Sequence, residues 1–274
     1  MAEISASLVK ELREITGLGM MECKKALAEA GGELGKAEEL LRIRGGARAK
    51  LAGRVAGEGV IGAWRSPDGR LGALVEVNCE TDFVARNADF VAFADWLARI
   101  VAERDPRDAA AAVQLEGVEQ RLQELVQQIK ENLSLRRIQR LRTERSLALY
   151  VHGGRIGVLV EYEGPDEVGK DVALHVAFAR PAYLARSEVP ADIASREREI
   201  LVARATASGK PEAIAAKMVE GGLAKFLGEI TLLGQPFVKD DKQTVEKMLA
   251  ARRARVLAFR FLVVGEGIEK KQAA

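Results

Sequence analysis

Apolar positions along this chain change period several times, and each change marks an element. Leu71 to Val77 (LGALVEV) is an apolar run of strand length behind the turn signal Ser66-Pro67-Asp68-Gly69, and with Val60 to Trp64 it predicts a hairpin. Phe90, Phe93, Ala94, Leu97, Ile100 and Val101 then recur at helical spacing to about Glu103, with Asn87 or Asp89 offering the oxygen that caps the first free amides. Val118, Leu122, Leu125, Val126, Ile129 and Leu133 predict another amphipathic helix. GRLGALVEV (Gly69 to Val77) returns as GRIGVLVEY (Gly154 to Tyr162), 85 residues on, and each copy is preceded by a strand-like run and followed by a helical pattern. Two related α+β units with small antiparallel sheets are expected.

Both ends of the chain depart from this repeat. Residues 1–54 read as a compact three-helix unit and the start of a linker: a stripe of Leu8, Val9, Leu12 and Ile15 behind Ser5 or Ser7, then Met21, Cys23, Ala26, Leu27 and Ala30, then Leu34, Ala37, Leu40 and Leu41 after Gly31-Gly32. Adjacent Met20 and Met21 cannot both face one small core; an exposed methionine suits an adaptable partner surface, and local packing of both is the other reading. Arg44 to Glu58 is a Gly-rich, basic, weakly periodic linker with room for some helix. From about Pro181, Ile193, Ile200 and Leu201, then Ile214, Met218 and Phe226, fall on two helices split by Ser208-Gly209-Lys210-Pro211, which predicts a protruding antiparallel hairpin. Val256 to Val264 then returns to the sheet. The division expected is 1–54, 55–145 for the first core unit, 146–180 with 229–274 for the second, and 181–228 for the hairpin.

Between the first repeat and its helix lies Glu80-Thr81-Asp82-Phe83-Val84-Ala85-Arg86-Asn87, a strand-to-helix connection. A large aromatic is unusual there, because exposing it forfeits burial of about 2 kcal/mol. Phe83 either tucks back as a staple, with Asp82 as a cap, or serves a partner. The second copy makes the same corner with Glu163-Gly164-Pro165-Asp166-Glu167 and no aromatic, so the repeat itself does not require one.

Composition narrows the functions. Lys plus Arg number 42 against 40 Asp plus Glu, too close to balance to make nucleic acid the default partner. Arg136, Arg137, Arg140, Arg142 and Arg145 form the one dense basic cluster; with Glu116, Glu119, Glu124, Glu131 and Glu144 nearby and no interleaved aromatic, an ordinary charged face is favoured over RNA contact. Cys23 and Cys79 form no CxxC and sit among apolar neighbours, which fits buried free thiols in a reducing compartment. No signal peptide is evident at residues 1–7 and no run reaches membrane-spanning length, so a cytoplasmic protein is expected. No GxxxxGK[ST] phosphate loop, Cys/His metal set or Ser-His-Asp arrangement is found, and His152 and His175 read as structural. Neither cofactor nor metal is expected.

LREITGLGMMECKKAL (Leu12 to Leu27), EVNCETDFVARN (Glu76 to Asn87), HGGRIGVLV, GKPEAIAAKMVEG, GQPF (Gly234 to Phe237) and GEGIEK, in this order over nearly the whole length, resemble bacterial elongation factor Ts, the guanine-nucleotide exchange factor of elongation factor Tu. The resemblance implies a non-enzymatic α+β protein: an N-terminal domain like the ubiquitin-associated (UBA) fold, two core units and a coiled-coil arm. It implies a wedge of Thr81, Asp82, Phe83 and Val84 that disturbs the partner's magnesium and phosphate site, with Leu12, Met20 and Met21 contacting the partner's nucleotide domain. No direct nucleotide, nucleic-acid or membrane binding is implied. Gly222, where a basic residue is common, and Leu233, in place of a usual Thr, depart from the family pattern, as does the end at Ala274, from which no C-terminal docking segment is expected.

Overall fold

The structure, a computed structural model, describes residues 4–16, 20–43, 51 and 54–268. Most of the expected linker lies outside the described residues. Helices α1 (Ala6–Thr16), α2 (Met20–Glu29) and α3 (Leu34–Ile43) close over a core of Val9, Leu12, Cys23, Ala26, Leu27, Ala37 and Leu41.

Strands β1 (Glu58–Arg65), β2 (Leu71–Cys79) and β3 (Ser134–Arg142) form one antiparallel sheet with β2 central; β4 (Ser146–His152), β5 (Ile156–Glu163) and β8 (Arg255–Val263) form a second with β5 central. The repeat therefore supplies the middle strand of each sheet. It also places a β-bulge at equivalent positions, Glu76/Val77 in β2 and Glu161/Tyr162 in β5. The two sheets face each other across Ile61, Leu74, Leu159, Leu262 and Val264. Two equivalent glycines make this approach possible: a Cβ on Gly72 would lie 2.8 Å from Leu159 Cδ2, and one on Gly157 would lie 3.0 Å from Leu74 Cδ2. The contacts are reciprocal, so the units pack as near-equivalent halves.

Each outer sheet face is covered by a helix, giving helix–sheet–sheet–helix layers. On the first, α4 (Asp82–Ala85) precedes α5 (Ala88–Arg104), which buries Phe90, Phe93, Ala94, Leu97, Ala98, Val101 and Ala102. Helix α5 crosses β1 so closely that a Cβ on Gly62 would collide with the backbone of Ala94. Helices α6 (Ala109–Val113) and α7 (Val118–Ile129) complete this unit; α7 ends at Lys130 in the left-handed region, so Leu133 is buried beyond the helix. On the second sheet, α8 (Asp166–Ala179) buries Val168, Val172, Ala173 and Val176.

Helices α9 (Ala191–Ala207) and α10 (Glu212–Ile230) pack against each other, joined by a turn at Gly209 (φ +64°) with Pro211 opening α10. Ala205, Val219 and Leu223 are their only buried residues among those described, so most of their surface faces solvent. Gly222 has a packing reason: a Cβ there would lie 2.7 Å from Leu201 Cδ2, at the helix contact. The hairpin returns to the second unit where Tyr183 bridges Thr231. Strands β6 (Pro236–Phe237) and β7 (Asp240–Thr244) and helix α11 (Val245–Ala251) then lead to β8. His175 is buried, accepting at Nδ1 from the Val238 N–H (3.1 Å) while Nε2 meets Gln235 Oε1 (3.0 Å). That arrangement fixes a neutral ring, whose pKa is lowered chiefly by burial.

The arginines of the basic cluster lie on and beside β3, and the carboxylates that pair with them are not the glutamates neighbouring in sequence. Fully buried Glu76 accepts from Arg136 Nη1 (3.2 Å), Arg137 Nε (2.5 Å) and the Gly265 N–H (2.8 Å). Arg137 also pairs with Glu266 (2.7 Å), Arg140 with Asp105 (2.8 Å), and Arg145 with Glu163. The bulge in β2 and the return of the chain after β8 bring these groups together, which sequence proximity cannot do.

Candidate functional site

The corner after β2 is a built structure. Asp82–Ala85 forms one helical turn, too short to persist alone because helix nucleation is unfavourable. Thr81 caps it, its hydroxyl accepting from the Val84 N–H at 3.4 Å. Val84 and Ala85 pack inward against the first core. Asn87 then caps α5, its Oδ1 accepting from the N–H groups of Asp89 (2.9 Å) and Phe90 (3.1 Å). The octet thus holds two capped helix starts, and of the two residues the sequence offered as cap for the second, Asn87 is the one that serves. Between them Phe83 points away from the body and is 80% exposed. The staple reading is overturned.

Asp82 does not cap; it pairs with Arg86 at 2.9 Å across one turn, with both groups substantially exposed. Beneath the corner, Cys79 is buried and its Sγ–H donates to the Thr81 carbonyl at 3.2 Å. Burial, reinforced by the charges of Glu131 and Glu58, pushes that thiol up to about 12, so it stays protonated and inert.

The residue that sequence reasoning misplaced is Glu131. It does not compensate the arginines. Its Oε2 accepts from the Glu80 N–H (2.9 Å) and the Thr81 N–H (3.1 Å), and its Oε1 accepts from the Thr81 hydroxyl (2.6 Å). Glu80 reciprocates, accepting the Asn132 N–H at 2.7 Å and pairing with Arg54 at 2.7 Å. No motif or spacing signals a contact across 50 residues, and only the fold brings the two corners together.

The other expected site residues separate. Met20 and Met21 are 58% and 77% exposed. Leu12 is fully buried in the three-helix core, at a stripe position that, with Val9, closes the small domain. Cys23 and Cys79 are both buried free thiols. No described helix is long and apolar enough to cross a membrane.

Fold and corner together define a class: a two-unit α+β scaffold that carries an outward aromatic on a braced corner. The model of the family described as "Elongation factor TS" matches residues 80–266. Among curated relatives, elongation factor Ts of Nitrosomonas eutropha is 54% identical over 278 residues, covering 99% of this chain and 95% of the relative. That of Bordetella petrii is 56% identical over 276 residues (99% and 94%), and that of Chromobacterium violaceum 53% (99% and 95%). The chain belongs to the elongation factor Ts family, translation elongation factors associated with nucleotide exchange.

Proposed function

We propose that this protein binds GDP-loaded elongation factor Tu and promotes GDP release, with Phe83 as an aromatic wedge entering the partner's nucleotide domain. The observation that carries this reading is the 80% exposed ring on a corner capped at both of its helix starts. An exposed ring held by the protein's own framework enters a partner with little loss of conformational freedom. Asp82 stands beside it and contacts the partner near the magnesium site. One carboxylate supplies too few oxygens to extract the ion, so its effect is to disturb the ion's environment.

Exchange requires tighter binding to the nucleotide-free GTPase than to the loaded one, and the coupling is reciprocal. A perturbation of about 10⁴ needs about 5.5 kcal/mol of differential binding. One ring contributes part of that. The exposed Met20 and Met21 and the second core unit supply the docking that holds the wedge in place, and the hairpin adds surface for it. The competing reading, RNA binding through the basic cluster, is weakened because four of its five arginines are engaged by Glu76, Asp105, Glu163 and Glu266.

The test is to load elongation factor Tu with a fluorescent GDP analogue and follow its release on adding this protein. Rapid release at catalytic amounts is expected, with modest salt dependence. No acceleration, together with RNA binding that falls steeply with salt, would favour the competing reading.

A further inference from the structure

The exposed ring requires something to aim it. The four-residue α4 is marginal by itself, and Glu131 reaches in from a distant segment to bond the backbone of its entry. Both carboxylate oxygens are engaged, one by two backbone N–H groups and the other by the Thr81 hydroxyl. The last bond leaves a lone pair of Thr81 Oγ1 to accept from Val84 N–H, so one carboxylate sets both the strand exit and the helix cap. Through Glu80 and Asn132 the two corners interlock in both directions.

The second unit is an internal control. Its corresponding helix α8 starts at Asp166 behind Pro165 without a side-chain cap, and no glutamate clamp on that corner's backbone is found among the described residues. The bracing accompanies the aromatic and not the repeat.

We infer that Glu131 is a positioning residue for nucleotide exchange: it fixes the backbone of Glu80 and Thr81 and thereby the direction in which Phe83 leaves the surface. This rests on the wedge reading proposed above. The carboxylate touches neither nucleotide nor partner in this role. It lowers the cost of bringing the ring into its cleft, and a misplacement of about 1 Å in such a group costs up to about 100-fold in rate.

Exchange on elongation factor Tu carrying fluorescent GDP is measured for the parent, Glu131→Ala, Glu131→Asp, Glu131→Gln, Phe83→Ala and the Phe83→Ala/Glu131→Ala pair. Glu131→Ala loses all three acceptor contacts, and Glu131→Asp keeps the charge but withdraws it by one methylene. Both are expected to lower the maximal rate about tenfold while KM for the loaded GTPase changes less than about twofold. Glu131→Gln can accept both backbone N–H groups and donate to Thr81 Oγ1, so it should stay within about twofold of the parent. Hydrogen exchange at the Thr81 amide should accelerate in the alanine and aspartate variants and not in the glutamine variant.

In the Phe83→Ala background, adding Glu131→Ala should cost nothing more, since the two residues act as one device. A parental rate in Glu131→Ala or Glu131→Asp despite a deprotected Thr81 amide, or an undiminished loss in the Phe83→Ala background, would overturn the inference. If Glu131→Ala does not fold, Glu131→Asp carries the same expectation. A slow Phe83→Ala beside a parental Glu131→Ala would sink only the positioning role, whereas a parental Phe83→Ala would sink the wedge itself.

Discussion

Replacing Phe83 by alanine separates a ring kept for a partner from a ring kept for the fold. In the free protein Phe83 is 80% exposed, so about one-fifth of its surface is covered. Full burial of a phenylalanine contributes up to about 3 kcal/mol, and a fifth of that is about 0.6 kcal/mol. For a chain of this size the melting temperature should fall by about 1–2 °C. Phe90, seven positions on and fully buried, is the internal comparison: its truncation should cost about 3–5 kcal/mol. Burying the remaining four-fifths of the Phe83 ring in the partner would contribute about 2.4 kcal/mol, so loss of the ring should slow GDP release about 60-fold. Thermal unfolding of the isolated variants and stopped-flow release of fluorescent GDP measure the two quantities. A Phe83→Ala protein that melts like Phe90→Ala, and when folded releases GDP at the parental rate, would refute the reasoning.

Two further predictions concern the scaffold. Glu76→Ala leaves Arg136 and Arg137 without the buried carboxylate they share and removes the acceptor for Gly265 N–H; urea unfolding should show a loss of about 3 kcal/mol, the low end for a broken buried pair because both guanidiniums keep roughly 30% exposure. His175 is held neutral and its pKa lies below the ordinary 6.5, so as pH falls below that value the unfolded chain takes up a proton that the folded one refuses. Stability should therefore drop as pH falls from 6.5 toward the depressed folded value, and His175→Asn, measured by urea unfolding at both ends of that window, should lack this part of the slope.

Local pattern determined a good deal of this protein without coordinates. Period-2 and period-3.6 apolar spacing placed β1, β2, β5, β8, α5, α7 and both hairpin helices, because burial on one face imposes the period of the element. The 85-residue repeat located the two middle strands, since the same apolar pattern must face the same layers twice; the repeated bulges and the reciprocal glycines follow from that equivalence. The contrast between the copies singled out Phe83.

Tertiary structure decided what depends on distant partners. Met20, Met21 and Leu12 lie close in sequence and look alike by hydropathy, yet only helix packing sets which are buried. The arginines around β3 read as a basic patch until the bulged β2 and the chain after β8 deliver Glu76 and Glu266 to them. Glu131 reads as one more surface carboxylate until the end of α7 brings it against Thr81. Side-chain period reports which face is covered, but a hydrogen bond between segments 50 residues apart leaves no trace in either segment's pattern, so the bracing of Phe83 belongs to the fold alone.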